Sequence, residues 1–310
     1  MREYPNDRAL QKALAEGNEG DVRTILKEAR ASFQTGVAIV CPVYDRVHPM
    51  TAVSILAGTK ILEERFGYCH YQLLCGSLLP DSRETLAEIS VAARTKFTFW
   101  IDADVEIPVT AWVQLLDTAL ELYGDPMEDH GTELDVLKAS TFWVCGLAYP
   151  ARGPEAALAA TWEKPPTLDH FKVPSMIDVS SVGLGAAVVP TACMALTSSP
   201  LFERRWLARR GRYLGEDVSF CQKLRDEHDA AILLDLNACG VAHYCEERRD
   251  LPWYITRYAM EEEATKRRRI RDGRGGEDSA IVQAIQEGEH VDPAEFHAEQ
   301  ERLRDLRGEA

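Results

Sequence analysis

The chain has 310 residues, 45% hydrophobic and 27% charged, which is ordinary for a globular protein and enough for one sizeable core. With 50 Asp and Glu against 35 Lys and Arg, the formal charge of −15 argues against broad, non-specific binding to nucleic acid or membranes, though not against a local basic patch. No apolar run reaches the roughly 18 residues of a membrane span. The start, MREYPNDRALQK, lacks the apolar stretch of a secretory signal, so a cytoplasmic protein is expected.

Taken in chain order, "ALQKALAEG" and "DVRTILKEARASF" carry apolar residues at helical spacing, which predicts a helical extension over 1–32 with Asp21 as an N-cap. "GVAIVCPVY" (36–44) is a near-continuous apolar run and reads as a buried central strand. An amphipathic helix follows over 51–67, closed by Gly67. Next come a strand over 71–78, a helix over 81–95 opened by Asp81 or Ser82, and a third strand in "KFTFWIDADV". Further on the pattern predicts a helix over 109–123, a strand over 136–149 and a strand-turn around "SSVGLGAAVV". The helix "EDVSFCQKLRDEH" and a strand over 230–236 complete the series. This alternation implies an α/β fold with a mostly parallel sheet and helices on both faces. In such sheets ligands bind beyond the carboxyl ends of the strands. Past residue 247 the composition turns basic (248–276) and then acidic (277–310), which predicts a charged helical tail. The eight cysteines include no CxxC pair and sit mostly in apolar strings, so they read as reduced core residues.

Two constellations carry chemistry. Asp102-Ala103-Asp104 closes the third strand. Carboxylates at i and i+2 repel, so a positive charge should lie beside them. Hard oxygen ligands at a strand end suit Mg²⁺ or Mn²⁺, and a metal so held can grip a diphosphate and neutralise it as a leaving group. Haloacid-dehalogenase-type phosphatases also place DxD after an apolar strand, but they call for DxDxT or DxDGT near the start of the core, and this chain reads DADVEIP. The second constellation spans 213–244. Gly215 permits a tight approach, and Glu216 and Asp217 open a helix where the dipole favours anions. Asp217 heads the stripe Asp217, Phe220, Cys221, Leu224, and a plain capping acid is the alternative to a functional one. His243 in "GVAHY" reads either as a core histidine or as a ligand.

In order, DxD, "VGLGAAVVP", "GEDVSFC" and the late histidine resemble a GT-A-fold glycosyltransferase over residues 33–247. "CGLAYPAR" (145–152) resembles a strand end of related bacterial and bacteriophage enzymes, and "IDADVEIP" is similar to a segment of fungal mannosyltransferases. The resemblance implies a Rossmann-like GT-A sheet and transfer of a sugar from a nucleotide-sugar donor, a UDP-sugar first among them, with Mn²⁺ or Mg²⁺ as cofactor. It implies that Asp102, Asp104 and His243 hold the metal, with Asp102 contacting ribose as the alternative. Pro42, Tyr44 and Asp45 would hold base and ribose, Arg83 would face the nucleotide, and Gly183 and Gly185 would keep the backbone low beneath sugar or acceptor. Asp217 would be the base of an inverting reaction, with Glu216 second, or in a retaining one would orient the acceptor or the donor hydroxyls. The acceptor implied is a hydroxylated base of bacteriophage DNA, in host cytoplasm, or else a saccharide or protein side chain. Basic clusters at 203–212 and 266–274 fit an anionic acceptor, or are solvated helix faces. A non-catalytic sugar-nucleotide-binding module is the rival reading.

Overall fold

Strand β1 (Val37–Val43) is buried at all seven positions and forms the centre of one half of the main sheet. The structure, a computed structural model, describes residues 5–76, 78–124, 132–151, 158–162, 176–204, 206–207, 212–237, 240–244 and 248–250. Ahead of β1 lie helices α1 (Pro5–Ala15) and α2 (Glu19–Ser32). The N-cap of α2 is Asn18, whose side chain accepts the Asp21 N–H at 3.2 Å, so Asp21 is the capped residue and not the cap. Beyond β1 come α3 (Pro49–Phe66), β2 (Cys69–Cys75), α4 (Leu79–Ala92), β3 (Phe97–Ile101), the short β4 (Val105–Glu106) and α5 (Val109–Gly124). Gly67 closes α3 at φ 74°, a left-handed conformation that favours glycine. Helix α4 starts two residues earlier than expected, at Leu79. Its N-cap, Leu78, makes no side-chain bond, and Pro80 in the first turn supplies a helical φ without needing an N–H partner.

Residues 136–149 are not one strand. Thr132 and Asp135 form a reciprocal capping box, with the Asp135 N–H donating to Thr132 Oγ1 and the Thr132 N–H donating to Asp135 Oδ2. That box starts helix α6 (Glu133–Thr141), and only Trp143–Leu147 is strand, β5. The remaining elements are β6 (Ala160–Thr161), β7 (Met176–Asp178), β8 (Ser181–Val182), β9 (Ala186–Pro190), α7 (Thr191–Leu196), β10 (Trp206–Leu207) and β11 (Arg212–Tyr213). They are followed by α8 (Glu216–His228), β12 (Ala231–Asp235), β13 (Ala242–Tyr244) and β14 (Arg248–Asp250). The tail predicted over 248–310 begins with this strand, and residues 251–310 lie outside the described part.

The main sheet has seven strands in the order β2-β1-β3-β9-β5-β12-β7. β1 is parallel to β2 and β3, β12 is parallel to β5, and β9 runs antiparallel to both β3 and β5. β7 is antiparallel to β12, so β2, β1, β3, β5 and β12 point one way and β9 and β7 the other. The result is a Rossmann-like, mostly parallel sheet. Alternate residues of β1 sort its faces: Val37, Ile39, Cys41 and Val43 join a core with Ile55 and Leu62 of α3 and Trp112 and Leu115 of α5. α4 and α7 contact each other and strands β1 and β9, covering the opposite face. Pro42 is tolerated because Val43 C=O points to β2, where Gly76 N–H donates to it at 3.0 Å. The missing N–H of Pro42 therefore points to β3, whose ladder with β1 ends at Val40. Cys41, Cys69, Cys145, Cys193 and Cys221 are free and buried, and Cys75 is free and exposed. Among the described residues no helix is long and apolar enough to cross a membrane.

Candidate functional site

Because β3 ends at Ile101, Asp102-Ala103-Asp104 emerges at the carboxyl edge of the sheet. The turn is pinned at several points. Asp102 N–H donates to Gly185 C=O (3.1 Å), Val105 N–H donates to Asp102 C=O (3.1 Å), and His48 N–H donates to Ala103 C=O (2.7 Å). Directly after the turn, β4 pairs antiparallel with β13, which sets His243 opposite Val105. Tyr244 N–H then donates to Asp104 C=O at 2.8 Å. This ladder brings residue 243 beside residue 104.

The two acids do not share one neighbour. Asp102 Oδ1 accepts from Arg83 Nη2 at 2.9 Å, while Asp104 Oδ2 lies 3.3 Å from His243 Nε2. The positive charge that the DxD spacing demands beside Asp102 is therefore a resident arginine. Arg83 was expected to face a nucleotide; it lies under the site, with its side chain 2% exposed, 5.7 Å over the Trp100 ring, and its Nε 3.4 Å from Glu216 Oε1. Burial alone pulls this guanidinium down, but Asp102, Glu216 and Asp217 outweigh it, so the group stays charged.

His243 Nδ1 sits 3.1 Å from the Pro150 carbonyl, an acceptor only, so Nδ1 carries the proton. Nε2 then turns a lone pair, or a second proton, toward the Asp104 carboxylate. Two ligand atoms that share an octahedral Mn²⁺ or Mg²⁺ at about 2.1 Å each would lie about 3 Å apart, close to the spacing seen. One imidazole fixed through its other nitrogen and one carboxylate form a donor set that fits such an ion. Asp102 does not complete a three-residue set: among the described residues no three His, Cys, Asp or Glu side chains converge to hold a metal.

Beside the turn opens a cleft of about 800 Å³, lined by Pro42, Tyr44, Asp45, Asp102 and Asp104, and also by His48, Arg204 and Tyr244. Tyr44 is 81% exposed. His48 and Tyr244, which the sequence reading missed, stack face to face at 3.9 Å and form one wall. His48 is recognisable in the sequence only as a residue before Pro49, and Tyr244 only as the neighbour of His243. A second cavity of about 780 Å³ lies at the opposite edge of the sheet, near Leu26, Trp143 and His228, and contains none of the predicted residues.

At the head of α8, Glu216 is buried against Arg83, and Asp217 accepts from Val218 N–H at 2.7 Å. Burial raises the Asp217 carboxyl above its ordinary range, Arg83 opposes that, and Glu216 adds to it. Gly183 and Gly185 serve the chain's own side chains. A Cβ on Gly183 would fall 2.7 Å from Tyr149 Oη, and one on Gly185 would fall 2.4 Å from the same oxygen and 2.9 Å from Asp102 Oδ2. Gly185 N–H donates to Tyr149 Oη at 3.0 Å. Tyr149 is thus a site residue the sequence reading did not single out, although it lies in the quoted "CGLAYPAR". Glu84 braces the site from outside by accepting the N–H groups of Leu201 (2.8 Å) and Phe202 (3.0 Å). Of the basic clusters, Arg204 lines the cleft; the side chains of 205–213 and all of 266–274 lie outside the described residues.

The sequence matches no protein-family model and no curated protein. Among solved structures, the crystal structure of A197 from STIV is similar at 16% identity and a TM-score of 0.46, over 70% of this chain and 89% of that one.

Proposed function

We propose that the chain is a metal-dependent glycosyltransferase of the GT-A type, moving a sugar from a nucleotide sugar to a hydroxyl acceptor. The observation that carries this reading is the 3.3 Å approach of Asp104 and His243, residues far apart in sequence, at the rim of a cleft large enough for a nucleotide. Mn²⁺ or Mg²⁺ bound there would neutralise the departing diphosphate. Tyr44, beside Pro42 and Asp45, offers an exposed ring for a nucleobase, and Asp102 and Asp45 can accept from ribose hydroxyls. Asp217 takes the acceptor proton. A carboxyl raised by burial is a better base near neutral pH than an ordinary one. Glu216, tied to Arg83, positions that helix head. A UDP-sugar is the first donor to try. The acceptor is a saccharide or a hydroxylated DNA base; turnover on DNA should weaken steeply with salt, and turnover on a neutral saccharide should not.

The test is a panel of nucleotide sugars with Mn²⁺, read by thermal stabilisation and by donor hydrolysis. At least one donor should stabilise the chain in a metal-dependent way, and Asp104→Ala should remove that dependence. If no donor stabilises the parent, or if the stabilisation survives Asp104→Ala, the proposal is wrong.

A further inference from the structure

We propose that Arg83 is a positioning residue that fastens Asp102 to the head of α8 and keeps Asp102 out of the cation's coordination shell; this rests on the glycosyltransferase reading above. One planar guanidinium serves two carboxylates from different parts of the chain, Nη2 to Asp102 at 2.9 Å and Nε to Glu216 at 3.4 Å. The second contact is an ion pair and not a directed hydrogen bond, but both come from one rigid fork, so the tip of β3 and the start of α8 are held relative to each other. The side chain is 2% exposed, so water does not screen the pair. Asp104 meets His243, while Asp102 Oδ1 is turned away to Arg83. The DxD motif is thereby split by partner and not by exposure: both carboxylates are 24% exposed and line the cleft, but Asp102 is paired with Arg83 and Asp104 with His243.

This arrangement predicts a gain on mutation. Without the guanidinium, Asp102 and Glu216 lose their counter-charge, and a divalent ion is the cation able to replace it. A residue that merely supported the fold would weaken metal binding when removed. Arg83→Met should instead bind Mn²⁺ more tightly in the absence of nucleotide.

The experiment follows free Mn²⁺ by electron paramagnetic resonance during titration of the full-length chain, with and without UDP. The parent should bind Mn²⁺ weakly alone and more tightly with UDP. Arg83→Met should tighten nucleotide-free binding by about tenfold or more, within the range that residues next to a metal's ligands command. Adding Asp102→Asn to Arg83→Met should abolish the gain, and Arg83→Lys, which keeps the charge without the fork, should show a smaller gain than Arg83→Met. A gain that is absent, or that survives Asp102→Asn, overturns the assignment. Should Arg83→Met not fold, the Arg83-intact Asp102→Asn variant decides. At saturating UDP its Mn²⁺ affinity should stay within about threefold of the parent, about 0.65 kcal/mol, while Asp104→Asn loses about tenfold or more; equal losses refute the proposal. A parent that binds no Mn²⁺ with UDP or any other nucleoside diphosphate refutes the wider reading of the site. The nucleotide-free comparison of Arg83→Met with parent still reports on Arg83 in that case.

Discussion

Replacing Gly185 by alanine tests the packing under the acids most directly. The new Cβ would lie 2.4 Å from Tyr149 Oη, 3.1 Å from Tyr149 Cζ and 2.9 Å from Asp102 Oδ2. Carbon–oxygen contacts this short do not persist, so something must move. Tyr149 is 3% exposed and has no room to swing away, whereas the Asp102 carboxylate is 24% exposed and can. Overpacking of a tight interior costs about 1–3 kcal/mol. In a domain of this size each kcal/mol lowers the midpoint by about 2–4 °C. Tyr149→Phe removes the oxygen that is struck, leaving the ring carbon at 3.1 Å, but it also leaves the Gly185 N–H without its acceptor, at about 1–3 kcal/mol. If the clash with Oη is the main penalty, the double variant should be less destabilised than the sum of the singles, by about 1 kcal/mol. Urea denaturation of the four proteins measures this. Strict additivity, or Gly185→Ala as stable as the parent, would refute the account of why glycine stands there.

Two further predictions concern protonation. In the fold Asp217 holds its proton more readily than a free carboxyl, so the stability it contributes is present at low pH and lost as pH rises through the raised value. Asp217→Asn should therefore be more stable than the parent at neutral pH by calorimetry, with the advantage shrinking as pH falls through the raised value and gone by about pH 4, while turnover is lost and donor binding kept; a less stable variant at neutral pH contradicts this. His228, its ring stacked on Phe142 at 4.0 Å, is pulled down by burial from 6.5 to about 4. The unfolded chain takes up that proton first, so stability should fall by about 3 kcal/mol as pH drops from 6.5 to 4. His228→Phe should flatten that part of the pH dependence in urea unfolding, and an unchanged slope would count against the buried neutral imidazole.

The strands and most helices were readable because burial writes itself into apolar runs: β1, β3 and β12 are near-continuous hydrophobic segments, and Gly67 marks the end of α3. The misreading of 136–149 has a local cause. "VLKASTFWV" is apolar enough to pass for strand, while the signal that starts α6 is the capping box at Thr132 and Asp135, just outside the segment. The proximity of Asp104 to His243 was expected from a resemblance, not from spacing, since a two-residue ladder between β4 and β13 creates it. The resemblance pointed to Arg83, but its burial and its ion pairs with Asp102 and Glu216 were not legible. Its partners lie on another strand end and another helix, and an arginine on an amphipathic helix gives no sign that it will be buried. Nor could the two glycines announce that the atoms crowding them belong to Tyr149 and Asp102.

Every strand of the main sheet is complete by residue 235, yet His243 arrives afterwards, on a separate three-stranded patch made by β4, β13 and β14. The main sheet and the candidate site are thus completed at different points along the polypeptide. A version cut just before residue 242 would retain the whole seven-stranded scaffold and leave Asp104 without its imidazole. During synthesis all seven strands of the main sheet would have emerged before residue 243 could reach Asp104.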